Sequence, residues 1–250
     1  MPMERTWARA ARDAWPVAVV LALCPVVAAL APGPAAPLAR IRELIEDERS
    51  LGLFFEPSVH AWVAARPPLL GIGQLAYVGV HLPVMLGVLA WTWFARPRVF
   101  PLARNTFVCA QALATLGYVL FPTAPPRMVP EAGYGADLVQ TGQHGFERLA
   151  MSPYAAMPSG HAAFALIAAV IVATQARSKA VRVVAVLYPA VVLGEIMATG
   201  NHLWLDAVAG ATVAAAGFAL ARGLSAMQAS RRLRGAPIAF GEGSGWGGPS

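Results

Sequence analysis

Long runs of apolar residues constrain the fold of this chain more than any other feature. Hydrophobic residues make up 57% of the 250 residues and charged residues only 13%, whereas a soluble domain carries about 25% charged residues. Several runs reach the length of about 20 residues that a helix needs to cross a bilayer. Because lipid offers the backbone no hydrogen-bond partners, such segments fold as helices. The sequence therefore predicts an all-α polytopic membrane protein.

Six segments are rich in Ala, Val and Leu and nearly free of charge, which predicts a six-transmembrane-helix bundle within one membrane domain, 1–222. The predicted spans are 15–31, 70–95, 105–121, 159–176, 181–199 and 203–222. The first span is short, follows several arginines and precedes small residues, so a cleaved signal peptide is the alternative interpretation. The remaining tail, 223–250, ends in a Gly/Ser-rich stretch and is predicted to be flexible and cytoplasmic.

Arginine and lysine set the predicted orientation. They concentrate at the amino terminus, in 96–104, in 177–182 and after 221, all on one side of the predicted bundle. The positive-inside rule places this side and both termini in the cytoplasm. It places 32–69 and 122–157 on the extracytoplasmic side of the cell membrane. The net charge of +6 is spread between spans rather than gathered on one face. We therefore expect membrane lipids, and no nucleic acid, as partners.

The segment 32–69 contains a helical pattern of its own. Leu38, Ile41, Leu44 and Ile45 recur at the spacing of one helix face. Two interpretations fit this pattern equally: a helix lying in the membrane interface, or a solvated connector.

Polar residues are scarce in the spans and gather in three clusters. These are "PTAPPR" (122–127) after the third span, "PSGH" (158–161) at the start of the fourth, and "NHLWLD" (201–206) at the start of the sixth. Because successive spans alternate in direction, all three clusters emerge on the same membrane face. The sequence thus predicts that they meet in one site.

The chemistry of these clusters favours an anionic ligand. His202 and Asp206 are four residues apart and share a helix face, so the carboxylate can orient the imidazole. Ser159 and Gly160 suit a helix start whose free N–H groups bind anions, with His161 in the first turn. Arg127 can bind phosphate through two N–H groups. Together they predict phosphoryl transfer through a histidine. A metal site formed by His161, His202 and Asp206 is the competing interpretation.

The paired motifs "PSGH" and "HLWLD" resemble the type 2 phosphatidic acid phosphatase superfamily of integral membrane enzymes. The resemblance extends from about Tyr77 to Gly210. It implies a metal-independent reaction without cofactors, in which His202 attacks phosphorus, Asp206 orients His202, and His161 exchanges protons with the leaving and incoming oxygens. Arg127, Ser159 and Gly160 would hold the phosphate of a lipid substrate.

The chain departs from the common family pattern at two phosphate-binding cations. Leu120 stands where the family has a lysine, and Glu195 and Ile196 stand where it has a Ser-Arg pair. The motif variants, with "YVGVHLPV" (77–84), are similar to a branch that includes inositol phosphotransferases such as inositol phosphorylceramide synthases. Candidates that compensate for the missing cations are Asn201, His144 and Arg148.

Two polar residues lie within the spans themselves. His81 is either a functional group or a partner in a helix–helix hydrogen bond. Glu195 either binds the hydroxyl of a polyol acceptor or pairs with an arginine such as Arg127.

Three functions remain open from the sequence. The first is a lipid-phosphate phosphatase, in which water attacks the phosphohistidine. The second is a phosphotransferase that moves a phospho-headgroup such as inositol phosphate to a lipid hydroxyl. The third is a non-enzymatic lipid-binding or transport protein that retains the fold.

Overall fold

A computed structural model describes residues 3–134 and 152–234, and the described chain is built from helices. The predicted all-α class is confirmed. The α-helices are α1 (Met3–Ala29), α2 (Ala35–Ser50), α3 (Glu56–Ala64), α4 (Pro67–Gly79), α5 (His81–Ala95), α6 (Phe100–Leu120), α7 (Gly160–Gln175), α8 (Lys179–Ala198) and α9 (Trp204–Arg234). Two 3₁₀ turns, Pro126–Met128 and Pro130–Ala132, follow α6.

Three of these helices, α1, α8 and α9, are long and apolar enough to cross a membrane. The pair α4–α5 adds a fourth if it forms one span, and it bends by 50°. The helix α7 is apolar but has only 16 residues. The membrane character expected from the sequence is therefore present, while the count of six spans stays a prediction.

The bend between α4 and α5 has a cause in the sequence. Pro83 lies in the first turn of α5 and has no N–H to donate to the carbonyl of Gly79, and its ring collides with that carbonyl in a continuous helix. The chain therefore breaks at Val80 and restarts with His81. The break places His81 at a helix start, facing the site described below.

The main core lies where α5, α6, α7 and α9 meet. Met85 and Phe107 are completely buried there, and small residues such as Ala110 and Ala163 lie between them. Helix α1 packs on the same core through Val20. Because small residues let helix backbones approach closely, dispersion contacts hold the bundle together without help from the hydrophobic effect in lipid.

The helical pattern in 32–69 belongs to α2, which packs onto protein. Ile41 and Ile45 are buried against Val129, Tyr134 and Leu203, the last of which belongs to the "NHLWLD" cluster. Leu38 and Leu44 are partly buried in the same cluster. The apolar face of α2 therefore covers the loop after α6 and the start of α9. This contact makes the segment part of the fold rather than a separate connector.

Helix α9 is longer than the predicted sixth span. It continues through Arg234, so 223–234 of the predicted tail is helical, whereas 235–250 lies outside the described residues. Its glycines allow two close approaches. A Cβ at Gly217 would lie 2.7 Å from the backbone nitrogen of Ala110 in α6, and one at Gly210 would lie 2.3 Å from the carbonyl oxygen of Ser159.

Gly217→Ala is therefore expected to destabilise the bundle, although alanine is the better helix former. The added methyl meets backbone atoms that cannot rotate away, and overpacking of this kind costs about 1–3 kcal/mol. Gly223→Ala is the matched control on the same helix, because nothing lies within 4 Å of its added Cβ. It should be neutral or stabilising by up to about 1 kcal/mol. Thermal unfolding in detergent measures both, and equal behaviour of the two variants would refute this packing argument.

Candidate active site

The three polar clusters meet at one end of the helix bundle. The ring centres of His161 at the start of α7 and His202 before α9 are 5.7 Å apart. The backbone N–H of Arg127 donates to the carbonyl of Gly200 at 3.0 Å. The 3₁₀ turn after α6 is thereby attached to the turn that precedes His202. The structure thus places all three motifs around one point.

His202 is oriented by Asp206 and is buried. Its side chain is 2% exposed, and its Nδ1 lies 3.4 Å from Oδ2 of Asp206, which is completely buried. The same Oδ2 accepts the N–H of Leu203 at 2.9 Å. Within the described part of the chain, neither ring nitrogen of His202 has a closer hydrogen-bond partner, so the contact with Asp206 is what distinguishes Nδ1 from Nε2. The carboxylate therefore favours the Nδ1–H tautomer and leaves the Nε2 lone pair for chemistry.

His161 is held by the broken pair α4–α5. Its Nε2 lies 3.2 Å from the carbonyl oxygen of Tyr77, and its ring stacks on that of Tyr77 with centres 4.2 Å apart. Because a carbonyl only accepts, Nε2 must carry the proton. Nδ1 is then the nitrogen of His161 that can exchange protons with a substrate.

Arg127 is buried, with 8% of its surface exposed. Its guanidinium donates to the side-chain oxygen of Asn201, and the amide nitrogen of Asn201 donates to Thr199 at 2.8 Å. Asn201 therefore orients the arginine. Gly200 has a left-handed backbone conformation, with φ of 65°, which favours glycine. A Cβ at this position would lie 3.0 Å from the Cβ of Arg127, so glycine also lets the two segments approach closely.

The helix start at "PSGH" is partly occupied by protein groups. Ser159 caps α7 by accepting the N–H of Ala162 at 3.3 Å, as expected from its sequence position. The Ser159 N–H donates to the carbonyl of Asp206 at 2.9 Å. A Cβ at Gly160 would lie 3.0 Å from the hydroxyl of Tyr118. Phosphate binding at Ser159 and Gly160 stays a prediction, and the Ser159 amide already has a partner.

A sequence profile of the PAP2 superfamily matches residues 42–220, which is more than half of the chain. The chain belongs to the PAP2 superfamily. No curated protein and no solved structure gave a significant match. Superfamily membership supports a membrane enzyme of the phosphatase or phosphotransferase type. The resemblance to the inositol phosphotransferase branch is not confirmed by these comparisons.

The remaining predicted site residues have different positions. Glu195 lies close to the site, and its Oε2 is 2.8 Å from Nε2 of His81. Ile196, at one family cation position, is completely buried in an apolar cluster, whereas Leu120, at the other, is 67% exposed. His144 and Arg148 lie outside the described residues. The two family cations are thus replaced by side chains that cannot bind phosphate.

The metal interpretation finds no support in the geometry. Among residues 3–134 and 152–234, no group of three or more His, Cys, Asp or Glu side chains is arranged to hold a metal ion. His161, His202 and Asp206 are included in this range, and the ring of His161 is separately bonded to Tyr77.

Two carboxylates that the sequence analysis missed reach the start of α9. Glu56 of α3 accepts the N–H of Trp204 at 2.8 Å, and Glu48 of α2 accepts the N–H of Leu205 at 3.1 Å. Both side chains are completely buried. With Asp206 on Leu203, three acidic side chains accept three successive N–H groups at the start of α9, the positive end of the helix dipole. They hold the helix start that carries His202 in place.

A signal for Glu48 existed in the sequence. Ile41, Ile45 and Glu48 follow one another at helical spacing, so the acid falls on the apolar face of α2. An acid on such a face needs a buried donor. The donor could not be identified beforehand because it comes from more than 150 residues later in the chain.

Burial changes the ionisation of Glu48. Burial raises the pKa of Glu48 from its ordinary 4.5 to about 9, with smaller contributions from the negative charges of Glu56 and Asp206 and an opposing one from the Leu205 N–H. Burial, with the charges of Glu56 and Glu48, also raises the pKa of Tyr134, so its hydroxyl stays protonated. At neutral pH the folded protein therefore keeps a proton on Glu48 that the unfolded chain releases.

This proton gives a testable pH dependence of stability. Between about pH 5 and pH 9 the folded state binds more protons than the unfolded state, so stability should fall as pH rises through this window. Glu48→Gln keeps the acceptor for Leu205 without titrating, and should flatten the curve. Thermal unfolding from pH 5 to pH 9 measures the slope. Glu43→Gln, an exposed change on the same helix, should keep the wild-type slope; an unchanged slope in Glu48→Gln would contradict the assignment.

Proposed function

We propose that this PAP2 protein transfers a phosphoryl group from a membrane lipid phosphate through a phosphohistidine at His202. One observation carries the proposal: two buried histidines lie 5.7 Å apart, and one of them has a carboxylate 3.4 Å from its Nδ1. This arrangement provides a nucleophile, its orienting carboxylate and a proton-transfer group within reach of one phosphorus atom. His161 lies at the start of α7 and His202 directly before α9, and these helix starts keep the geometry fixed.

In the first step, Nε2 of His202 attacks phosphorus as the bond from phosphorus to the lipid alkoxide oxygen breaks. To act as the acid, His161, whose Nε2–H is bonded to the Tyr77 carbonyl, takes up a second proton at Nδ1 together with the anionic substrate and gives that proton to the leaving oxygen. Asp206 stabilises the positive charge that the phosphorylated imidazole acquires. The products are the free lipid alcohol and the phosphohistidine.

In the second step, neutral His161 takes a proton at Nδ1 from the incoming hydroxyl. The oxygen of that hydroxyl bonds to phosphorus, and the bond from phosphorus to Nε2 of His202 breaks. Water yields inorganic phosphate and makes the enzyme a phosphatase, whereas an alcohol makes it a phosphotransferase. Both steps need the same three side chains, so the acceptor alone decides the outcome.

Phosphate charge is balanced by Arg127 in this mechanism. Its guanidinium, oriented by Asn201, stabilises the negative charge that develops on the phosphoryl oxygens. The site suits a ligand of low negative charge, since Leu120 and Ile196 replace two cations of the family pattern. His144 and Arg148 remain candidates for supplementary contacts.

A second candidate function is favoured by this shortage of cations. A phosphodiester carries one negative charge where a phosphomonoester carries up to two, so a site with Leu120 and Ile196 in place of two cations suits a phosphodiester better. The corresponding reaction moves a phospho-headgroup, such as inositol phosphate, from one lipid to the hydroxyl of another. It uses the same phosphohistidine, with the headgroup still attached to phosphorus.

The cellular setting is part of the proposal. Positive residues at the opposite end of the bundle, including Arg96, Arg177 and Arg182, favour a cytoplasmic location for that end and for both termini. The site then faces the extracytoplasmic side of the cell membrane. A lipid phosphate of the outer leaflet would reach it from the membrane plane.

Product analysis with the purified protein tests the function. Short-chain phosphatidic acid and phosphatidylinositol are supplied with and without myo-inositol, and inorganic phosphate and new phosphorylated products are measured. His202→Ala should lose activity by at least about 10³-fold, and Asp206→Asn by about 10²–10⁴-fold, since the wrong tautomer then dominates. Each variant should unfold at a temperature close to that of the wild type. Near wild-type turnover in His202→Ala, or no product from any lipid with the wild type, would refute the enzyme and favour lipid binding or transport.

A substrate with an activated leaving group tests the role of His161. A nitrophenyl phosphate leaves without a proton, so His161→Ala should still form the phosphohistidine but break it down slowly. Acid-labile labelling of the protein should therefore accumulate in His161→Ala and be absent from His202→Ala. If His161→Ala forms no labelled protein with this substrate, His161 is not the leaving-group acid.

A further inference from the structure

A second buried polar cluster lies directly beside the catalytic pair. Nε2 of His81 is 2.8 Å from Oε2 of Glu195, and Nδ1 of His81 is 3.0 Å from the hydroxyl of Tyr188. The side chains of His81 and Glu195 are only 5% and 10% exposed. Three polar side chains from α5 and α8 thus lie together within an otherwise apolar region. Burying polar groups there costs free energy, so a cluster of this kind indicates a function.

This cluster touches the catalytic site through His161. The ring of His81 meets the ring of His161 edge-on, with centres 5.1 Å apart. On the other side, the backbone N–H of His202 donates to the carbonyl of Ile196, the residue that follows Glu195. Glu195 is therefore close to both catalytic histidines, which it approaches through His81 and Ile196.

The hydrogen bonds determine which atom of the cluster is available to a ligand. Because a carboxylate only accepts, the Nε2–H of His81 donates to Glu195, and Nδ1 accepts from the Tyr188 hydroxyl. Both nitrogens of His81 are thus engaged, so His81 positions Glu195. In contrast, Oε1 of Glu195 is buried and has no hydrogen-bond partner within residues 3–134 and 152–234.

The charge of Glu195 indicates what this oxygen accepts. A carboxylate repels phosphoryl oxygens, so Oε1 is unsuited to the phosphate itself. A hydroxyl donates a proton and satisfies the carboxylate at low cost. The oxygen that attacks a phosphohistidine must also come close to His161, and the His81 ring that binds Glu195 also contacts the ring of His161.

We propose that Glu195, positioned by His81 and Tyr188, forms a hydroxyl-binding subsite that holds the acceptor alcohol for attack on phosphorylated His202. This inference rests on the proposed function and extends it by assigning an acceptor site. The ligand class is an alcohol that bears a hydroxyl within reach of Glu195 while its attacking oxygen faces His161. The subsite favours an alcohol over water because it adds a charge-assisted hydrogen bond that orients the acceptor.

The test measures how one intermediate divides between two acceptors. Dioctanoyl phosphatidic acid and dioctanoyl phosphatidylinositol are the donors, and glycerol and myo-inositol, which carry a further hydroxyl for Glu195 besides the attacking one, are the alcohols. Transfer product and hydrolysis product are quantified in the same reaction. Glu195→Gln should lower the ratio of transfer to hydrolysis by at least about tenfold and raise the KM for the alcohol. Hydrolysis without alcohol should stay within about threefold of the wild type.

Two further variants grade the effect. Tyr188→Phe removes only the hydroxyl that holds His81, and should change the ratio in the same direction but less than Glu195→Gln. Glu46→Gln is the control for loss of a carboxylate, because Glu46 is exposed and pairs with Arg49 on α2. It should leave the ratio unchanged.

Three results would overturn the subsite. They are an unchanged ratio in Glu195→Gln, an equal fall of transfer and hydrolysis, and a wild-type protein that hydrolyses donors but transfers to no alcohol. The last two leave the phosphohistidine mechanism intact. Failure of the proposed function is distinguishable, since the wild type would then show neither product nor labelled His202.

Discussion

The capped start of α9 is the constraint on which the rest of the site depends. Asp206, Glu56 and Glu48 bind three successive N–H groups there, so two helices distant in sequence are bonded to the helix that carries the catalytic motif. These N–H groups are consequently unavailable to substrate. In the proposed mechanism the phosphate is therefore held elsewhere, by Arg127 on the adjoining 3₁₀ turn. The packing of α2 against Leu203 excludes solvent from the caps and strengthens each of them.

The protein concentrates its polar chemistry at one end of an apolar bundle. Small residues bring α6, α7 and α9 together closely enough for the motifs to meet, and the break in α4–α5 turns Tyr77 and His81 toward them. The aromatic rings of His202, His161 and His81 then lie in succession across the site. Each ring is held by a different element, so the proposed mechanism can give the three histidines separate roles.

The sequence predicted the components of the site better than their connections. The cap at Ser159 and the spacing of His202 and Asp206 depend only on neighbouring residues, so both could be predicted from the sequence. The break at Val80 was missed, although Pro83 was visible, because the whole segment has the length of one span. The acid on the apolar face of α2 was also visible. Its partner was not, because a hydrogen bond between distant segments leaves no periodic signal.

The sequence by itself determined the helical class, the membrane character and the three motifs, because hydropathy and local spacing depend only on neighbouring residues. The resemblance to the family also implied that two cations of its pattern are absent. Only the tertiary structure decided that Glu195 pairs with His81, that Ile196 is core, and that Glu48 and Glu56 cap α9. The physical reason is that burial turns an ordinary carboxylate into a group that must find a donor, and the packing of distant helices determines which donor lies within reach.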